Sequence, residues 1–198
     1  MSRLLILALA VIAVFAGFSA YQKAQAQVAE TASAAPKNNG KILIAYYSWS
    51  GHTKKVAEAI QNEIGGDLFE IQPETAYSDD YKTVVDQAKK EINEGYRPAL
   101  KNNVANIAQY DIVFIGSPNW WGTIAPVVST FVEQNDLSGK TVVPFITHGS
   151  GGEQNTITDL EKQCKDCLVQ KNGWVGYGSR TWGISGWLED IGFKKITD

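Results

Sequence analysis

Three stretches of this chain are apolar at almost every position: "KILIAYY" (41–47), "YDIVFIGS" (110–117) and "KTVVPFIT" (140–147). A strand with one wet face alternates apolar and polar side chains, so unbroken apolar runs of strand length require cover on both faces. The intervening segments are suited to supply it. In "TKKVAEAIQNEI" (53–64) the residues Val56, Ala57, Ile60 and Ile64 recur with helical spacing, and "DDYKTVVDQAKKEINEG", "APVVSTFVEQN", "TITDLEKQC" and "SGWLEDIGF" also read as helices. "DLFEI" (67–71) reads as a short strand, and a weaker strand fits around Leu168 to Val175. Five strands alternating with helices predict an α/β fold, a parallel sheet covered on both faces in three α/β/α layers. No internal repeat and no second domain is visible.

At 198 residues, 44% hydrophobic and 20% charged, the chain has the composition of one globular domain. Its formal charge of −3 leaves no basic stripe, which argues against a nucleic-acid partner. The domain is expected over 40–198. Ahead of it, Arg3 is followed by an apolar run from Leu4 to Phe18, and Ala24-Gln25-Ala26 offers a small-x-small cleavage pattern. These features predict a signal peptide over 1–26 and an exported, periplasmic or secreted protein. A chain starting at Gln27 would lose Arg3 and Lys23, taking the charge from −3 to −5. The alternative is an uncleaved anchor, and contact with the membrane is expected only in that case. Residues 27–39, "QVAETASAAPKNN", are polar and Ala-rich and read as a flexible lead-in.

In an open parallel sheet, ligands bind beyond the carboxyl ends of the strands where the strand order reverses. Three unusual loops fall there. The first, Ser48-Trp49-Ser50-Gly51-His52-Thr53, sets hydroxyls and a glycine just before a helix, where unpaired backbone N–H groups and the helix dipole favour an anion. With no Gly-Lys-Ser/Thr and no G-x-G-x-x-G, it is neither a nucleoside triphosphate loop nor a dinucleotide fingerprint. A phosphate cradle and a plain Ser/Thr helix cap both suit it. In the second loop, "GSPNWWGTIAP" (116–126), Trp120 and Trp121 are adjacent, and two such residues on a tight loop do not both enter the core. One is expected to cover a planar ligand and the other to pack against the fourth helix, with Trp120 the choice for the ligand side. The third, Thr147-His148-Gly149-Ser150-Gly151-Gly152, has three glycines that let backbone amides approach a ligand edge or simply form a mobile linker.

Taken together, "IAYYSWSGHT" and "YDIVFIGSPNWWGTIAPVVSTFVEQNDLSGKTVVPFITHGSGG" resemble the flavodoxin superfamily, and in particular its short FMN-binding members, from about Lys41 to Phe193. The resemblance implies a flavodoxin-like sheet of order 2-1-3-4-5 and FMN as cofactor. It places Ser48, Trp49, Ser50, Gly51, His52 and Thr53 around the phosphate, Pro118, Asn119, Trp120, Trp121 and Gly122 beside the ring, and Thr147, His148, Gly149, Ser150, Gly151 and Gly152 along the pyrimidine edge. Ala45 departs mildly from the phosphate-loop pattern. The third loop lacks a Tyr-Gly-Asp type stacking tyrosine, and the chain is only mildly acidic, so a pure electron shuttle is not the sole outcome. His148 in that loop either donates to the reduced ring near N1 and the C2 carbonyl, making it the catalytic candidate, or faces solvent. His52 either supplies a second phosphate donor or is exposed.

Cys164 and Cys167 are the only cysteines. In an oxidising compartment they suggest a local disulfide, with free thiols as the alternative. Zinc would need two further ligands, and no metal is expected. A redox pair would sit at the start of a helix rather than its end. The functional expectation is an FMN-dependent electron carrier or small oxidoreductase, acting on a quinone-like acceptor or a redox partner protein. The alternative is a flavin-binding module of the cell envelope without turnover. A hydrolase is disfavoured, since no Ser lies in a G-x-S-x-G turn.

Overall fold

The computed structural model describes residues 40–196; the leader expected over 1–26 and the lead-in over 27–39 lie outside them. From Ile42 the chain alternates strand and helix. It runs through β1 (Ile42–Tyr46), α1 (His52–Ile64), β2 (Asp67–Glu70), α2 (Tyr81–Glu94), a single 3-10 turn (Ile107–Gln109) and β3 (Ile112–Trp120). After these come β4 (Thr123–Ile124), α3 (Pro126–Gln134), β5 (Thr141–His148), α4 (Thr156–Gln163), β6 (Leu168–Val169), β7 (Trp174–Tyr177) and α5 (Ile184–Asp190). The parallel sheet has the order β2-β1-β3-β5-β6, with β7 also on β5 and the two-residue β4 antiparallel to β3.

The apolar runs are buried on both faces as their composition requires. On β1, Leu43 and Ala45 join the core that contains Val84 of α2, Phe131 of α3 and Leu160 of α4. Ile42, Ile44 and Tyr46 join the opposite core with Val56 and Ile60 of α1 and Trp187 and Leu188 of α5. This is the three-layer flavodoxin-like arrangement, with the fifth position of the sheet filled by β6 and β7 in succession.

The break in that fifth strand has a cause in the neighbouring sequence. Val142 accepts a hydrogen bond from the Gln170 N–H at 2.8 Å, and His148 accepts one from the Gly178 N–H at 2.9 Å, so the even-numbered residues of β5 turn their backbone polar groups toward the outer strand. Pro144 lies on that side and has no N–H to offer. The outer strand is interrupted opposite it. Cys164 and Cys167 are joined as a disulfide after α4, beside the first residues of β5 and away from the carboxyl ends of the strands.

Candidate functional site

Beyond β1, the chain enters α1 through Gly51, whose φ of 81° is one that side-chain-bearing residues rarely adopt. No side chain among the described residues caps this helix, so the Ser/Thr cap reading of the loop does not hold. The first-turn N–H groups are left facing outward without intrahelical acceptors. Thr53, only 1% exposed, shares a 2.8 Å hydrogen bond between its hydroxyl and that of Thr147. Ser48 Oγ is buried with no hydrogen-bond partner among the described residues. Trp49 donates from Nε1 to the Ser78 carbonyl at 2.9 Å, and its ring lies 6.2 Å from that of Tyr81. His52 is exposed at the first position of the helix.

The second loop is a hairpin, which the sequence reading did not anticipate. β3 continues past Ser117 to Trp120 and pairs with β4 in the register Asn119↔Ile124 and Trp120↔Thr123. Trp121 and Gly122 form the two-residue turn with φ values of 53° and 86°, the signs that a type I′ turn requires at both positions. Trp120, still in the strand, packs edge-on against Tyr77 at 5.0 Å and Tyr47 at 5.6 Å. Trp121, in the turn, is 53% exposed. It donates to the Val85 carbonyl at 3.0 Å, and Lys89 Nζ lies 4.6 Å from its ring centroid. Both indoles line the cavity between the loops, Trp120 with its other side against buried tyrosines and Trp121 more exposed. Trp121 rests on α2 rather than on the fourth helix, because one residue ends a strand and the next turns a corner.

The third loop is stapled to both others. Thr147 meets Thr53. Asn119 donates from Nδ2 to the Gly152 carbonyl at 2.7 Å and to Gln154 Oε1 at 3.1 Å, and its Oδ1 accepts from the Gly122 N–H at 2.9 Å. Asn119 therefore holds loops together with its whole amide group. His148 is half-buried, its ring edge-on to Tyr177 at 5.8 Å, and its Nδ1 is buried with no partner among the described residues.

The three loops enclose a cavity of about 630 Å³. Every residue expected around the site lines it except Ser48, Gly51 and Gly152. The remaining wall was missed: Tyr81, Val84, Val85 and Ala88 of α2, with Gln154 at the far rim. Tyr47 and Tyr77 stand behind Trp120. Burial pushes both phenols up, aided by the nearby Glu91 carboxylate, which also accepts a hydrogen bond from Tyr77. The whole is a mostly apolar slot with polar backbone at one end. Among the described residues no group of three or more metal-ligating side chains exists.

A doubly wound sheet with a slot beyond its strand ends has the place where open α/β proteins bind ligands. The chain belongs to the flavodoxin family, whose model matches residues 41–191. Among solved structures it resembles a Bacteroides eggerthii DSM 20697 protein assigned as a flavoprotein, at 36% identity over 79% of this chain and 100% of that one, with a TM-score of 0.68. It also resembles a Lactobacillus acidophilus NCFM flavoprotein solved in complex with FMN, at 29% identity over 75% of this chain and 98% of that one, TM-score 0.61. Among characterised sequences it is 30% identical over 137 residues, 59% of this chain, to NAD(P)H dehydrogenase (quinone) 3 of Rhizobium meliloti. The match to that enzyme covers 58% of its length, and the match to the corresponding Chromohalobacter salexigens enzyme covers 64%.

Proposed function

We propose that the chain binds FMN in this cavity and acts as a small flavin oxidoreductase, passing electrons to a small-molecule acceptor such as a quinone or to a redox partner protein. The observation that carries the reading is the uncapped start of α1, with Gly51 at φ 81° and Ser48 Oγ buried and unpartnered behind it. Donors left without acceptors at a helix N-terminus suit a phosphate, which accepts several hydrogen bonds and is favoured by the dipole.

The residues present fit FMN at the ring end too. Trp120 and Trp121 supply one aromatic wall, the α2 side chains exclude water, and the glycine-rich 149–152 segment allows close backbone approach. Bound FMN would supply the exchange of one or two electrons, and the chain's part is to hold, orient and tune it. His148 Nδ1, when it carries the proton, offers a donor where negative charge gathers on reduction. The Lactobacillus complex supports FMN as the ligand, and the quinone dehydrogenases support the acceptor class. Residence in the cell envelope is proposed from the leader-like segment 1–26 alone.

Mass spectrometry of the cofactor released from purified protein tests the binding step: FMN is expected, and adenine in the released ligand would sink the reading. NAD(P)H oxidation coupled to a soluble quinone then separates turnover from a passive flavin-binding module. Fractionation of the producing cells, with the mature N-terminus sequenced, tests export and cleavage before Gln27.

A further inference from the structure

Among the described residues one charged side chain is buried: Glu91, 7% exposed. It lies on α2 with Val84 and Ala88 as the buried residues of that helix, at a position where the helical period calls for an apolar group. Its carboxylate is held by neutral donors. The Tyr77 hydroxyl donates to Oε2 at 2.6 Å and Gln87 Nε2 donates to Oε1 at 2.8 Å, and no lysine or arginine among the described residues forms an ion pair with it. A carboxylate without a cation is an expensive thing to bury, so something must be gained from it.

What it holds lies at the cavity wall. The Tyr77 ring stands at 87° to Trp120 with centroids 5.0 Å apart, and Tyr47 stands at 85° to the same indole at 5.6 Å. Tyr47 and Tyr77 also touch each other, 5.8 Å apart. With its hydroxyl tied to Glu91, Tyr77 cannot swing away from Trp120 without breaking a charge-assisted hydrogen bond. The Trp120 indole that lines the cavity is thereby braced from behind.

The geometry points to Glu91 as a positioning residue for the ring that binds in the cavity: through Tyr77 it fixes Trp120, and it lays one negative charge behind that wall. The inference rests on the flavin reading above. A fixed anion there opposes the negative charge a bound ring gains on reduction, so it lowers the ring's midpoint potential. The link through Tyr77 serves affinity instead, because a wall that is already in place need not be ordered on binding.

Two substitutions separate these roles. Glu91→Gln keeps an acceptor for Tyr77 and removes the charge, whereas Tyr77→Phe keeps the ring and removes the link. The full chain is titrated with FMN by flavin fluorescence, its midpoint potential is read against redox dyes, and apoprotein melting is recorded beside both. Glu91→Gln should move the potential to a more positive value while changing the FMN dissociation constant less than about threefold. Tyr77→Phe should raise that constant roughly five- to tenfold, and the increase should vanish in a Trp120→Phe background. An unchanged potential in Glu91→Gln with an unchanged dissociation constant in Tyr77→Phe would overturn the inference and leave Glu91 a core contact, whatever the melting temperatures. If Glu91→Gln does not fold, the dissociation constants of Tyr77→Phe with and without Trp120→Phe decide it alone. A wild-type chain that takes up no FMN would overturn the flavin reading itself, and the inference with it.

Discussion

Thr53 illustrates how one side chain can serve two ends of a site. Its hydroxyl bonds that of Thr147, both residues being almost wholly buried, at the junction of the first and third loops. Thr53→Ala should therefore lower apoprotein stability by about 1–3 kcal/mol, because it leaves the Thr147 hydroxyl buried and unpaired. It should also weaken FMN more than riboflavin, since only the former carries the phosphate; melting curves and paired titrations check both. Thr53→Ser should recover most of each loss. The two tryptophans should separate in the same assays. Trp120→Ala removes packing from Tyr47 and Tyr77 and should cost roughly 2–4 kcal/mol of stability as well as FMN affinity, whereas Trp121→Ala should leave melting nearly unchanged and raise the FMN dissociation constant several-fold. If Trp121→Ala binds FMN normally, that indole is not part of the ring wall. That the pair would divide its roles was legible in the sequence, but which residue packs against the core was not, nor was the burial of Glu91. Adjacent residues part company only where a strand ends and a turn begins, and a glutamate on an amphipathic helix looks solvent-facing until the stripe beside it is seen to be buried.

At the scale of elements the sequence was far more informative. Strands buried on both faces must be apolar throughout and helices covering them must be apolar on one side, so β1, β5 and the first four helices could be placed within a residue or two of their ends, while β3 runs three residues further than expected, to Trp120, and α5 ends three residues sooner, at Asp190. The exception is instructive. Val84, Val85 and Ala88 have the spacing of an ordinary core face, and nothing in a helical period distinguishes a residue facing the core from one lining a cavity. β4 escaped notice because two residues carry no period at all. The wall that α2 gives the cavity depends on how the helix begins: Asp80 accepts from the Thr83 N–H at 2.8 Å and from its hydroxyl at 2.6 Å. The Thr83 hydroxyl and backbone bonds hold its carboxyl below the usual value of 3.8. For a carboxyl depressed in the folded state, the stabilisation is complete above the unfolded value and fades as pH falls through the folded one. Asp80→Ala should thus melt earlier than wild type at pH 6 to 7, and the gap should close as the solution is acidified below about 3.8. A gap that persists in acid would mean the cap is not what the substitution removed.

Over the whole molecule, buried phenols set the alkaline limit. Tyr46 is pushed up to about 12, chiefly by burial, with Glu70 and Glu58 adding to it. Tyr47 and Tyr77 are raised as well, again chiefly by burial. A phenol whose folded value is raised contributes stability that is fully present below its unfolded value of 10.0 and lost as pH climbs toward the folded one. Stability should accordingly hold to about pH 9 to 10 and then fall. In an absorbance titration these three of the eight tyrosines should ionise only together with unfolding. Free titration of all eight while the circular dichroism stays native would contradict their burial. The interruption opposite Pro144 reaches further than sheet geometry. Because β6 and β7 are anchored to β5 separately, the exposed residues Lys171 and Asn172 between them lie where added chain need disturb neither ladder. The protein thus carries a graft point on its outer edge. A short Gly/Ser segment spliced after Lys171 should leave FMN affinity within about twofold of wild type, as expected for loop lengthening that costs only a few tenths of a kcal/mol. Chain added there would give the protein new surface while the three loops beyond the carboxyl ends of the strands keep their places.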